Sequence, residues 1–132
     1  MSVVMADVDR FKSFNDHHGH PAGDACLIEI SRLLVNSLRD TDTLCRYGGE
    51  EFAAILPRAD LDVAAAVAER MRTTVEDAAL RHAPKIGTVT VSIGVASALA
   101  SPSIPVSELL AHADAALYEA KHAGRNCVRA RT

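Results

Sequence analysis

Tryptophan is absent from this 132-residue chain, aromatic residues make up 4% of it, and only three cysteines occur, Cys26, Cys45 and Cys127. An odd number of widely spaced thiols gives no disulfide framework, and no pair of them has zinc-ligand spacing. They read as three reduced core thiols of a cytoplasmic protein. No apolar run is long enough to span a bilayer, and no signal-peptide pattern opens the chain, so a membrane is not an expected partner. Neither sign of charge dominates: 14 Lys and Arg stand against 17 Asp and Glu, for a net charge of −3. The basic residues are scattered, which excludes the stripe a nucleic-acid-binding surface needs. Internal repeats, low-complexity tracts and linkers are also missing. What remains is a chain with 48% hydrophobic residues, enough for one domain with a core and too short for two.

The apolar pattern predicts strand, helix, hairpin, helix, strand, helix, strand. Ser2 to Ala6 is a continuous apolar, β-branched run, which suits a central strand buried on both faces. A short segment, Asp9 to Asp16, and a loop, His17-His18-Gly19-His20, follow. Pro21 then suits the first turn of a helix whose inner face is Leu27, Ile30, Leu34 and Leu38. Thr43 to Tyr47 and Phe52 to Leu56 read as a hairpin around Gly48-Gly49, with both glycines at positive φ. Asp60 is a cap for a helix facing inward through Val63, Val67, Met71 and Val75. Val89, Val91, Ile93 and Val95 alternate with Thr90, Ser92 and Gly94, the pattern of a half-buried strand. Ala100 to Pro105 reads as a loop, and Ser107 as the cap of a last helix through Leu110, Ala113 and Leu117 that stops near Gly124. Asn126 to Arg129 is a short final strand. Hairpins pair antiparallel and helical crossovers favour parallel neighbours, so the expected fold is α/β, a mixed central sheet in an α+β sandwich.

The chemistry concentrates in a few places. Asp7-Val8-Asp9 closes the first strand, and Glu50 and Glu51 follow the glycine turn. If the hairpin pairs beside the first strand, Asp7 and Glu50 converge, and two oxygens with a backbone carbonyl suit Mg²⁺. The glycines leave space for a bulky, phosphorylated ligand to approach the backbone. The plainer alternative is that strand-end carboxylates are solvated turn formers; for Asp9 it is that the side chain caps the segment behind it. Asn15 and Asp24 flank the Gly19-His20 loop, where an amide and a carboxylate can read the edge of a guanine, although such residues more commonly serve turns and caps. His17, His18 and His20 could suggest a metal, but a lone cluster in a loop is expected to face solvent or lie beside a ligand. Lys12, Lys121 and Arg125 are candidate phosphate ligands. Lys121 and Arg125, four apart on the last helix, are expected to share a face. The alternative for them is dipole complementation at a helix end.

These residues fall into ordered blocks: Asp7-Val8-Asp9-Arg10-Phe11-Lys12, Asn15-Asp16, Gly19-His20-Pro21-Ala22-Gly23-Asp24, and Arg46-Tyr47-Gly48-Gly49-Glu50-Glu51-Phe52. Val91-Ser92-Ile93-Gly94-Val95 follows, then Ala113-Asp114, Tyr118 to Lys121, and Gly124-Arg125-Asn126. In this order they resemble the GGDEF domain of diguanylate cyclases, in its GGEEF form, almost end to end. The resemblance implies a palm-like fold related to class III nucleotide cyclases. It implies condensation of two GTP into cyclic di-GMP with release of pyrophosphate, by two chains facing each other as a homodimer. By position it implies that Asp7, Glu50 and the Val8 carbonyl hold Mg²⁺ or Mn²⁺. Asn15 and Asp24 then read guanine in a pocket shared with His20 and Leu27. Phe11, Lys12, Lys121 and Arg125 contact phosphates beside Gly48 and Gly49, and Glu51 accepts the 3′-hydroxyl proton. Arg39-Asp40-Thr41-Asp42, with Arg70, resembles the family's product-binding inhibitory site.

One departure concerns residues 1–132 as a domain. The family begins with a helix and a DxLTGLxNR-type turn before the first strand, and this chain carries neither. The expectation is therefore an N-terminally truncated domain, with either the later helices covering both faces of the first strand or a bare apolar surface left for a partner. Two functions are compatible with the blocks. The intact metal carboxylates favour a cyclase. The missing segment favours a non-catalytic or weakly active module that binds GTP or cyclic di-GMP. An adenylyl cyclase-like reading is disfavoured by the block pattern.

Overall fold

Ser2–Val8 forms β1, and every one of its residues is buried. The computed structural model describes residues 1–82, 87–98 and 104–131. After β1 come α1 (Phe11–His18), α2 (His20–Asn36), β2 (Thr43–Arg46), β3 (Glu51–Leu56), α3 (Leu61–Asp77), β4 (Val91–Ser97), α4 (Val106–His122) and β5 (Val128–Arg131). The five strands form one mixed sheet in the order β2-β3-β1-β4-β5. β1 pairs antiparallel with both β3 and β4, and only β4 and β5 are parallel neighbours. The helical crossovers do join parallel strands, but in two cases another strand lies between them: β3 separates β1 from β2, and β1 separates β3 from β4. This interleaving is what a split βαβ arrangement produces.

The two faces of β1 divide by parity, as a pleated strand requires. Val4, Ala6 and Val8 pack with Leu27, Ile30 and Leu34 of α2 and with Val67, Met71 and Val75 of α3. Val3 and Met5 pack on the opposite face with Leu109, Ala113 and Leu117 of α4. The later helices thus cover both faces, and the alternative of a bare β1 surface is not what the fold shows. β4 is covered on both faces as well, which corrects the half-buried reading. Ser92 is fully buried because Asp9 accepts its hydroxyl, and Gly94 lies directly under α4. A Cβ on Gly94 would stand 2.2 Å from the Ala113 carbonyl oxygen and from the Leu117 nitrogen. The alternation of Ser and Gly marks close helix packing here, not a wet face.

Other expectations shift by a residue or a partner. Asp60 caps α3 through Val63 N–H at 2.8 Å, as read. The inner face of α3 is Ala64, Val67, Ala68, Met71 and Val75, while Val63, in the first turn, is 43% exposed. Leu38 lies beyond the end of α2 and only packs at the margin of the core. His17 and His18 belong to α1, so Gly19 alone breaks the helices. Pro105, not Ser107, is the N-cap of α4. Residues 100–103 of the expected loop lie outside the described residues. β5 starts two residues later than expected. Cys26 is buried, with its thiol pushed up to about 11 by burial, but Cys45 is exposed and Cys127 half-buried, so they are not three core thiols. No described helix is long and apolar enough to cross a membrane.

Candidate functional site

The register of β1 against β3 places Asp7 opposite Glu51, and the Val8 N–H donates to the Glu50 carbonyl at 3.2 Å. Asp7, Val8, Glu50 and Glu51 therefore meet at one end of the sheet, but the residue opposite Asp7 is Glu51, where the sequence paired Asp7 with Glu50, and Glu50 is tied there through its backbone carbonyl. The hairpin differs in detail: neither Gly48 nor Gly49 takes positive φ. A wider loop closes instead, with Tyr47 N–H and Gly48 N–H both donating to the Glu51 carbonyl. Arg46 holds that loop from outside, giving Nη2 to the Gly49 carbonyl at 2.6 Å and Nε to the Gly48 carbonyl at 3.2 Å. Gly49 has nothing within 4 Å of where a Cβ would stand, so the loop's outer side is open.

Asp7 is 6% exposed, and Lys121 from α4 donates to its Oδ2 at 2.9 Å. Burial raises the Asp7 carboxyl above its ordinary value; Lys121 opposes that, and Asp9 adds to it. Burial also raises Glu51, followed by repulsion from Asp7, with Lys121 opposing and Asp114 and Glu50 reinforcing. The site is a crowded set of carboxylates with one lysine against it, an arrangement that a cation relieves. The donors are hard oxygens, which suit Mg²⁺ or Mn²⁺. No group of three or more His, Cys, Asp or Glu among the described residues is placed to hold a metal. Such an ion would thus draw on two carboxylates and the Val8 carbonyl and take its other oxygens from substrate and water, as Mg²⁺ does at phosphates.

Asn15 and Asp24 come from α1 and α2. Asn15 Oδ1 is the one buried side-chain N or O atom among the described residues without a hydrogen-bond partner. A buried carbonyl left unpaired costs about 1–3 kcal/mol. Gly23 makes its position possible, since a Cβ there would lie 1.8 Å from that oxygen. Asp24, Leu27 and Ile28 of α2 face Leu44, Cys45 and Arg46 of β2 and Phe52 of β3 across a cleft of about 530 Å³, which Asn15 does not line. His20, the first residue of α2, is exposed and does not line this cleft. Phe11 points into the core and stacks on Phe14, so only its backbone remains for a ligand. Lys12 is exposed in the first turn of α1, whose N-cap Arg10 makes no side-chain cap bond. The leading N–H groups of α1 are thus uncapped by a side chain, the usual setting for an anion.

Two expectations are corrected. Arg125 does not share a helix face with Lys121, because α4 ends at His122 and Arg125 follows in a left-handed turn at φ 63°. Asp9 caps nothing: it accepts from Thr90 Oγ1 at 2.7 Å, Ser92 Oγ at 2.6 Å and Asn126 N–H at 3.0 Å. The Arg39 group does assemble. Asp42 accepts from Arg39 Nη2 at 2.8 Å and from the Arg39 N–H at 2.8 Å, and Arg39 also reaches the Pro57 carbonyl. Arg70 donates to the Ser37 carbonyl and lowers the Asp42 carboxyl, a smaller effect than burial, which raises it, and the Arg39 bonds that overcome burial. Asp114, Arg46 and Asn126 stand in the matched blocks of the sequence without an assigned role, and Arg72 is not singled out there at all. Their partners are set by tertiary packing, and no local pattern announces them.

Comparison with known proteins bears on the family and the fold. The family described as "Diguanylate cyclase, GGDEF domain" matches residues 1–127. Diguanylate cyclase A of Treponema denticola is 43% identical over 128 residues, which are 97% of this chain and 34% of that protein. The GGDEF domain of DgcB from Caulobacter crescentus, solved in complex with c-di-GMP, superposes with a TM-score of 0.88 at 35% identity, covering 98% of this chain and 76% of that one. The active GGEEF domain of a Vibrio cholerae diguanylate cyclase gives a TM-score of 0.87 at 30% identity, over 99% of this chain and 83% of that one. The chain belongs to the GGDEF domain family of diguanylate cyclases, with the palm-like fold of that family. It spans about a third of the length of the curated relatives it matches.

Proposed function

We propose that this chain is a diguanylate cyclase domain that binds one GTP and, facing a second copy, condenses two GTP into cyclic di-GMP and two pyrophosphates. The observation that carries the reading is the pairing of Asp7 with Glu51 at the sheet end, with Lys121 on Asp7 and Glu50 locked beside Val8. Asp7, Glu50 and the Val8 carbonyl are the residues that would hold Mg²⁺ or Mn²⁺. When bound, the ion neutralises charge on the phosphates and the departing pyrophosphate.

The chain's own groups do the rest. Asn15 Oδ1 accepts from the guanine edge, which satisfies the orphaned oxygen, and Asp24 accepts beside it against the apolar wall of Leu27. The backbone N–H groups of Phe11 and Lys12, with the Lys12, Lys121 and Arg125 side chains, hold phosphate oxygens next to the open Gly48-Gly49 loop. The 3′-hydroxyl oxygen of one GTP attacks the α-phosphorus of the other. An O–P bond forms, the bond to the β-phosphate bridge breaks, and pyrophosphate leaves with that electron pair. Glu51, whose proton affinity is raised by burial and its acidic neighbours, accepts the hydroxyl proton. Arg39, Asp42 and Arg70 form a separate product site in which the Arg39 guanidinium, 41% exposed, reaches the phosphates of cyclic di-GMP.

The test is incubation of the purified chain with GTP and Mg²⁺ or Mn²⁺, followed by chromatography for cyclic di-GMP. Asp7→Asn and Glu50→Gln should each abolish product while circular dichroism stays that of the parent. Turnover by either variant at the parent rate defeats the metal assignment. Tight GTP or cyclic di-GMP binding with no product in the parent would instead select a non-catalytic effector module. Arg39→Ala should weaken cyclic di-GMP binding in calorimetry, and unchanged affinity removes the product-site assignment.

A further inference from the structure

Three successive residues after α4 take left-handed backbone: Gly124 at φ 111°, Arg125 at φ 63° and Asn126 at φ 45°. Glycine adopts this freely, but Arg125 and Asn126 carry a Cβ, so the conformation must be enforced from outside the turn. Asn126 is where the enforcement converges. Its N–H donates to Asp9 Oδ2 at 3.0 Å, its Oδ1 accepts from Arg72 Nη1 at 2.9 Å, and its Nδ2 donates to Glu76 Oε2. Each partner is itself held. Asp9 is buried and bonded to Thr90 and Ser92 of the β4 region, and Arg72 is clamped by Glu69 and Glu76 on α3. One residue further on, the Cys127 carbonyl accepts from Ile93 N–H at 3.0 Å and fixes the start of β5.

Arg125 itself is exposed and makes no side-chain bond shown among the described residues. Its direction is therefore set by the backbone of the turn. We propose that Asn126 is a positioning residue: with Asp9 and Arg72 it locks the turn so that the Arg125 guanidinium is presented to the nucleotide triphosphate beside Lys121. This rests on the reading that Arg125 binds phosphate. Asp9 lies two residues beyond Asp7 on the same chain segment, so one bonded unit ties the phosphate-binding turn to the carboxylate end of β1. α3 supplies the outer anchor.

The test is binding of a non-hydrolysable GTP analogue and of guanosine to the parent chain, Asn126→Ala, Asn126→Gly, Arg125→Ala and the Arg125→Ala/Asn126→Ala pair. Asn126→Gly keeps the backbone N–H and tolerates positive φ, so it preserves folding while removing the bonds to Arg72 and Glu76. The expected result is a loss of about tenfold in triphosphate affinity for both Asn126 variants, the magnitude of one lost charged contact. Guanosine affinity should stay unchanged, and Asn126→Ala should cost nothing further once Arg125 is alanine. If Arg125→Ala weakens the triphosphate and Asn126→Gly does not, the positioning role is overturned and the phosphate reading stands. Equal losses for guanosine and triphosphate would make Asn126 merely structural and also overturn it. If Arg125→Ala leaves triphosphate affinity unchanged, the phosphate reading fails and takes the proposal with it.

Discussion

Glu51 sits where its own charge is disfavoured, because burial and the nearby Asp7, Asp114 and Glu50 all raise its proton affinity against the single opposition of Lys121. A carboxyl whose folded value is raised stabilises the fold only while it is protonated. That contribution is complete below the unfolded value and is lost as pH rises through the folded value. At neutral pH the charged Glu51 therefore works against folding. Glu51→Gln should raise the melting temperature at pH 7.5, on the order of 1–2 °C for a partly exposed group. Near pH 4, about where a free glutamate titrates, the gain should disappear. A melting temperature that falls at pH 7.5, or a gain that persists at pH 4, would show that the crowding is not felt in solution. That carboxylates gather at this sheet end was legible in the sequence, because Asp7 ends an apolar run and Glu50-Glu51 follows a glycine turn, but the partner expected for Asp7 was Glu50, not Glu51. Asp9 was not legible. A buried aspartate with three tertiary donors and a helix-capping aspartate look alike until the partners at Thr90, Ser92 and Asn126 are known.

At the scale of elements, two glycines decide how closely neighbours approach. Gly94 lets α4 rest on β4, and a methyl group there would overlap backbone atoms of Ala113 and Leu117 that cannot rotate away. Gly94→Ala should therefore destabilise the fold by about 3 kcal/mol or more, at the top of the range for overpacking, and denaturant titration reads it directly. A loss under about 1 kcal/mol would mean that α4 slides without penalty. Gly23 plays the corresponding part between α1 and α2, but the group it accommodates is the Asn15 amide. An amide end can swing, so Gly23→Ala should leave the fold standing and displace Asn15. Discrimination of GTP over ATP should fall by about tenfold, the equivalent of one hydrogen bond to the base edge. Unchanged discrimination in calorimetry would remove Asn15 from guanine recognition. Element types were readable from periodicity, including the Asp60 cap and the α2 stripe, except that the expected order held one helix before the hairpin where α1 and α2 form two. β4 was misread because Ser92 and Gly94 imitate a solvent face. Lys121 and Arg125 were placed on one helix face although Gly124, read as the stop of that helix, already lies between them.

For the whole molecule, the sheet order sets what one chain can and cannot do. With β1 at the centre, the groups proposed to bind the nucleotide gather around one end of the sheet: Asp7 and Val8 from β1, Glu50 and Glu51 from the hairpin, Lys121 from α4 and the leading N–H groups of α1. That end holds one carboxylate cluster, with a cleft of about 530 Å³ lined by Asp24 on the α2 side and another of about 440 Å³ lined by Glu51 and Asp114 beside α4; in the proposed reading a single guanine nucleotide occupies the first. The proposed reaction consumes two, each the nucleophile toward the other, so the second must arrive on another copy. The apolar surface that a bare β1 would have offered for such pairing is absent, since α2 and α3 cover one face and α4 the other. If the bound nucleotides and the rims of the two sites drive the pairing of this chain, the encounter is weak. The initial rate of cyclic di-GMP formation at saturating GTP should thus rise with the square of chain concentration when the chain is dilute, and become linear only at high concentration. Dilution over a hundredfold range, with product measured by chromatography, separates the cases. A strictly linear dependence with a monomeric chain in analytical ultracentrifugation would mean that one chain accommodates both nucleotides, and the face-to-face arrangement would have to be abandoned.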